Sequence, residues 1–131
     1  MIGSSKTTFA NRTDAGVAYI VFGKSFGDPF NNINLHSDWI TGVHGFRVFG
    51  SAAGDRFGYS LGGGVDINAD GVSDLVIGAD KADPYGRVSA GTVNIIFGRS
   101  SGIWEDIDTA NMSPDRGLQI YGSNDFPLLG M

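Results

Sequence analysis

The stretch "DINADGVSDLVIGAD", residues 66–80, decides how the rest of the chain is read. Acidic or amide side chains occupy positions 66, 68, 70 and 74, a glycine interrupts them at 71, and the apolar run Leu75-Val76-Ile77 follows at once. Such a run, rich in β-branched residues and closed by Gly78-Ala79, reads as a buried strand. Carboxylates crowded beside it repel: two held about 4 Å apart cost roughly 4 kcal/mol at an effective dielectric near 20. A turn of this composition therefore calls for a counter-charge, and the alternative is a solvated Asx-turn hairpin.

The whole chain sets the limits. Its 131 residues have the length of one ordinary domain, and 41% hydrophobic with 18% charged residues is a globular composition. With 21 glycines among alternating apolar runs, it leans towards β structure with many tight turns. A formal charge of −5 and a pI near 4.6 argue against nucleic acid and anionic membrane as partners, and fit an extracellular surface that meets cations. The absence of cysteine excludes disulfides and thiolate metal sites without fixing the compartment. "MIGSSKTTFANRTD" lacks the basic start and apolar stretch of a signal peptide, so a targeting segment is expected outside these residues. No run approaches the roughly 20 apolar residues of a membrane span.

The sequence repeats internally. Residues 1–27 align with 76–102 at an offset of 75, matching Ile2 to Ile77, Gly3 to Gly78, Ala15-Gly16 to Ala90-Gly91 and Phe22-Gly23 to Phe97-Gly98. Further on, "GFRVFGS" (45–51) matches "GLQIYGS" (117–123), and Phe57-Gly58-Tyr59 matches Leu129-Gly130-Met131, at an offset of 72. A small deletion in the connecting loop accounts for the change. Two copies of one half-pattern thus flank the aspartate loop. Within each unit, short segments rich in Val, Ile, Phe and Tyr are bounded by Gly, Asn, Asp or Pro and read as strands. No stretch keeps a helical period, although "SGIWEDIDTANM" (101–112) has room for one short turn, so the chain is expected to be all-β.

Phe57-Gly58 before an Asp-rich loop, a strand after it, and then Gly78-Ala79-Asp80 resemble the FG-GAP repeat, the blade unit of integrin α-chain β-propellers and of many microbial surface proteins. "GSAAGDRFGYS" and "AGTVNIIFGRSSG" extend the resemblance over essentially the whole chain, while Asp80 departs from the family's usual proline. The resemblance implies four-stranded antiparallel blades set radially around an axis, about two blade-equivalents here. On that pattern residues 58–65, 74–79, 92–97 and 117–121 are the four strands of a complete blade within 58–122. Residues 1–3, 17–22 and 45–49 are the last three strands of a preceding blade within 1–57, and 123–131 open the next.

In "DINADGVSD" the side chains of Asp66, Asn68 and Asp70 take positions one, three and five of a metal loop and the carbonyl of Val72 takes seven. Gly71 allows the sharp bend. These are hard oxygen donors, which suit calcium rather than zinc or copper, and a multi-carboxylate loop suits calcium better than magnesium. A helix–loop–helix hand would need Glu at position twelve, where Ile77 stands. The resemblance instead implies early closure by Asp74 at position nine.

Other candidates are weaker. Gly62 to Gly64 lack the spacing of phosphate or dinucleotide loops and read as a close-packed inner strand. His36 and His44 are isolated, and no Ser or Cys sits in a nucleophile motif. Trp39 and Trp104 are expected to pack their loops against the blades, with glycan stacking the alternative. Asn11-Arg12-Thr13 and Asn111-Met112-Ser113 match the N-glycosylation pattern. The expected function is a calcium-binding, non-catalytic propeller module at the cell surface or outside it, with a structural, adhesive or assembly role; the alternative is an accessory propeller segment of a larger secreted enzyme or carbohydrate-binding protein. A thin blade needs neighbours on both faces, so the chain is expected either to be part of a longer polypeptide or to close a ring with further copies of itself.

Overall fold

A computed structural model describes residues 1–29, 31–36, 39, 41–126 and 128–131. Its strands are β1 (Ile2–Ser4), β2 (Val17–Val21), β3 (Gly45–Phe49), β4 (Phe57–Val65), β5 (Asp74–Ala79), β6 (Thr92–Ile96), β7 (Ile107–Asp108) and β8 (Gly117–Tyr121). Two single-turn 3-10 segments, Pro84–Gly86 and Thr109–Asn111, complete the regular structure of the described residues. The strands form two four-stranded sheets, β1-β2-β3-β7 and β4-β5-β6-β8. The protein is all-β, with an architecture consistent with propeller blades.

The second sheet is an antiparallel meander. Ile77 pairs with Leu61 and Asn94, and Asn94 with Gln119. The four segments expected there form strands within a residue of the expected bounds. Irregular register between Phe57 and Ser60, and again between Gly63 and Val65, bends β4 along its length.

In the first sheet β1, β2 and β3 pair antiparallel as expected, but a fourth strand was not foreseen. β7 leaves the long connection between β6 and β8 and pairs parallel to the outer edge of β3, Val48 with Ile107 and Phe49 with Asp108. One short segment of the later unit thus closes the edge of the earlier one. Asp108 there accepts a bidentate pair of bonds from Arg12, at 2.9 and 2.7 Å, and Asp106 holds both the side chain and the backbone N–H of Arg47. Burial disfavours the charge on Asp108, but the Arg12 guanidinium and the Ala110 N–H more than offset it and hold the carboxyl below its ordinary value.

The core lies between the sheets. Ala18, Phe46 and Val48 of the first sheet meet Phe57, Ile77, Ala79 and Ile96 of the second, with Ile107 at the edge. Trp104 stacks on Phe46 with ring centres 4.5 Å apart, so this tryptophan packs its loop against the sheet as expected. Trp39 meets Tyr19 edge to face at 5.3 Å.

The internal repeat is visible in the backbone. Phe57 N–H donates to Ala15 O and Leu129 N–H to Ala90 O; Gly50 N–H donates to Gly16 O and Gly122 N–H to Gly91 O. Parallel bridges join Gly16 to Phe57 and Gly91 to Leu129. Left-handed backbone recurs at matched sites without glycine, Asp14 with Ser89 and Arg56 with Leu128. Hydrogen bonds therefore impose the same strained turns on different side chains.

At Gly16 two constraints coincide: φ is +88°, and a Cβ would lie 2.1 Å from the Phe57 carbonyl oxygen. Gly54, at φ +83°, has open space where its Cβ would lie. Gly54→Ala should cost about 1 kcal/mol for the left-handed backbone alone, whereas Gly16→Ala should cost at least twice that, both read from urea unfolding. The Arg12–Asp108 pair adds a pH signature. A carboxyl whose pKa is lowered by folding stabilises the protein in full above its ordinary value of 3.8 and loses that contribution as pH falls through the lowered value. Unfolding midpoints measured across acid pH should fall less steeply for Asp108→Asn than for the unsubstituted chain.

Candidate functional site

The loop between β4 and β5 is built by its own acidic side chains. Asp66 Oδ1 and Oδ2 accept the N–H groups of Asp70 and Gly71 at 3.1 and 2.8 Å. Asn68 Oδ1 also accepts from Asp70 N–H, and Asp70 Oδ1 accepts from Val72 N–H. These Asx turns curl the backbone so that the side chains at alternate positions share its inner side, with Ala69 and Gly71 both at positive φ. Asp66, Asn68 and Asp70 are exposed. Asn68 Nδ2 donates to Asp70 Oδ2 at 2.9 Å, so these two ends already meet.

Asp74 lies elsewhere. It is fully buried at the start of β5, where Oδ2 accepts Ile67 N–H at 2.7 Å and Oδ1 accepts Gly98 N–H at 2.8 Å. Its carboxylate therefore ties the loop to the end of β6. Gly98 is pressed against the same loop, since a Cβ there would lie 2.3 Å from Ser73 O.

As a cation cradle the donor set fits in chemistry: Asp66, Asn68 and Asp70 offer hard oxygens, and each carboxylate oxygen of Asp66 and Asp70 keeps a lone pair after accepting its hydrogen bond. Convergence is incomplete, because among the described residues no three His, Cys, Asp or Glu side chains come together as a metal group. Ligation by Asn68 through Oδ1 requires its amide to turn, because Nδ2 now faces Asp70.

A carboxylate missed in the sequence lies nearby. An open cleft runs from Asn68 and Asp70 past Gly98 to Arg99 and Asp115. The Ser113 hydroxyl, Asp115's own N–H and the charges of Arg99 and Arg116 hold the Asp115 carboxyl below its ordinary value. Its place in "SPDRG", far along the chain from the loop, gave no sign of this approach. Gly62 to Gly64 lie in β4. His36 sits in a turn with its N–H bonded to Asn34 Oδ1, and His44 packs its ring against Trp39.

Residues 57–95 match the FG-GAP repeat family, a span running from the start of β4 through the loop and β5 into β6. Over 102 residues the chain is 28% identical to phosphatidylinositol-glycan-specific phospholipase D of Bos taurus and, equally, to that of Mus musculus. These alignments cover 78% of this chain but 11% of each relative. No solved structure matches the chain. Among the described residues no helix is long and apolar enough to cross a membrane.

The burial of Asp74 separates its role from those of its exposed neighbours. Asp74→Ala leaves the Ile67 and Gly98 N–H groups without their acceptor and should cost about 2 kcal/mol or more in calcium-free buffer. Asp70→Ala in the same buffer should cost less than half as much, since its bonds lie in solvent. Paired urea titrations in chelator measure both.

Proposed function

We propose that this chain is a non-catalytic propeller module whose 66–74 loop binds calcium, with a structural, adhesive or assembly role outside the cell or at its surface. The single observation that carries the reading is the loop itself: three exposed oxygen-bearing side chains at alternate positions, wound around one bend by bonds to its own backbone and tied to the sheet by a buried carboxylate. Asp66, Asn68, Asp70 and the Val72 carbonyl would hold the ion, while Asp74, the fifth ligand expected from the sequence, is buried with both oxygens on backbone N–H groups and would serve as the loop's tie to the sheet. Calcium, when bound, would supply positive charge against the Asp66 and Asp70 carboxylates, in a bend whose shape the chain's own hydrogen bonds already set. Asp66 fixes the turn, and Asp74 transmits its position to β6. The match of residues 57–95 to the FG-GAP repeat supports the module class.

The non-catalytic part of the proposal rests on what the acidic side chains do. Asp55 and Asp74 are buried with their oxygens on backbone N–H groups or a serine hydroxyl, and Asp106 and Asp108 are held by arginines. Burial pushes the Asp55 carboxyl above its ordinary value, against the bonds from the Ser51 hydroxyl and the Ala52 N–H, and among the described residues no histidine or lysine side chain is hydrogen-bonded to this pair. A second reading has its own support. The similarity to phosphatidylinositol-glycan-specific phospholipase D favours an accessory segment of a larger secreted enzyme, since 11% of that protein's length suffices to account for the whole alignment. Protein partners or further copies of the chain are the proposed binding partners, with glycan the remaining class.

Calcium titration followed by thermal melting tests the metal. At a hundredfold excess over Kd the ion should stabilise the fold by about 2.7 kcal/mol, on the order of 10 °C for a domain of this size. Asp70→Ala should abolish that gain. An unchanged melting temperature for the unsubstituted chain, together with no heat of binding, would remove calcium from the account.

A further inference from the structure

The two units differ at one place where the repeat says that they should agree. In the first, the outer edge of β3 is paired by β7, and the face carrying Phe46 and Val48 is closed, with both residues at 1% exposure or less. β8 is the repeat of β3, and the residues matching Phe46 and Val48 are Leu118 and Ile120, exposed at 39% and 46%. Among the described residues β6 is the strand that β8 pairs with, on one edge.

The arginine that accompanies this edge is also duplicated. Arg12 lies over the Phe9 ring at 5.2 Å, Phe9 stacks on Phe49 of β3, and the guanidinium grips Asp108 of β7. Its repeat, Arg87, lies over the Tyr85 ring at 5.1 Å, and Tyr85 meets Tyr121 of β8 edge to face. The ring, the outer-strand aromatic and the guanidinium are in place; among the described residues no carboxylate forms an ion pair with Arg87. Arg87 Nε is buried without a hydrogen-bond partner.

We infer that β8 and Arg87 form a receptor for the next blade of the same ring, which inserts a short parallel strand carrying an apolar residue beside Ile120 and a carboxylate beside Tyr121. The carboxylate takes the bidentate bond that Arg12 gives to Asp108, and the apolar residue closes over the edge as Ile107 does. The chemistry favours a following unit over a second copy of this chain. By the 72-residue offset a second copy would bring Leu35-His36 to the place of Ile107-Asp108, setting an imidazole against the guanidinium. The inference rests on the blade reading of the fold and is independent of calcium.

The test appends a second copy of residues 60–131 after Met131, which keeps the repeat in register because Met131 matches Tyr59. The appended Ile107 and Asp108 then reach β8 and Arg87. Hydrogen exchange of the β8 amides should slow relative to the 131-residue chain. Arg87→Ala and Asp108→Asn in the appended copy should each lower the melting temperature, and the double substitution should lower it no further than the larger single loss. Unchanged β8 exchange, or losses that simply add, would overturn the inference. Should the extended chain fail to fold, a synthetic peptide of residues 103–113 added to the original chain gives the same test. It should shift β8 amide resonances more than the same peptide carrying Asp108→Asn, and equal or absent shifts would overturn it. A discrete oligomer of the 131-residue chain, seen by light scattering and abolished by His36→Ala, would assign the edge to a second copy instead and contradict the proposal. All these measurements read the same in chelator, so their failure leaves the calcium proposal standing, and a failed calcium titration leaves this one.

Discussion

Both sheets depend on glycines that let one backbone cross another at contact distance. A Cβ on Gly3 would lie 2.1 Å from the Gly58 carbonyl oxygen, and one on Gly78 would lie 2.0 Å from that of Gly130. At the first crossing the chain has passed from β3 of one sheet to β4 of the other, and at the second the segment after β8 passes against β5. The crossing brings Phe57 N–H to Ala15 O, and Leu129 N–H to Ala90 O. Any side chain there would push the sheets apart and open the apolar layer of Phe46, Val48, Ile77 and Ile96. Packing between sheets is thus conditional on a backbone contact, and the hydrophobic gain follows from it.

Charge is divided between two tasks in this framework. Arg12 with Asp108 and Arg47 with Asp106 fasten a segment of the later unit to the earlier one, and Asp74 fastens the loop to β6. These carboxylates are bonded and partly or wholly buried, so they act as fixed struts. Asp66 and Asp70 face solvent at the end of the sheet, where their charge is free to meet a cation. Burial thus separates the carboxylates that act as struts from those left open to solvent.

Much of this was legible in the residues. The alternating apolar runs bounded by Gly and Asp marked six of the eight strands, the family resemblance added β1, and the offsets of 75 and 72 marked the units. The loop's bend was legible too, because Gly71 and the spacing of Asp66, Asn68 and Asp70 describe it locally. β7 was not, since two residues have no period and Ile107-Asp108 is a strand only because the β3 edge lies beside it. The one usable signal was the recurrence of arginine at 12 and 87, which becomes meaningful once Asp108 is seen against Arg12. Nor could spacing show that Asp74 turns inward to Ile67 and Gly98, because Gly98 lies just past the end of β6, 24 residues away.

If the crossings bind the sheets into one unit, the sheets must open together. Native-state hydrogen exchange under increasing urea resolves this directly, following the amides of Gly50 and Phe57, whose acceptors are Gly16 O and Ala15 O, beside those of β5 and β6. The account predicts that all of them exchange with one common free energy and one denaturant slope. Exchange of β2 and β3 through a separate, lower-energy opening, while β5 and β6 stay protected, would contradict it.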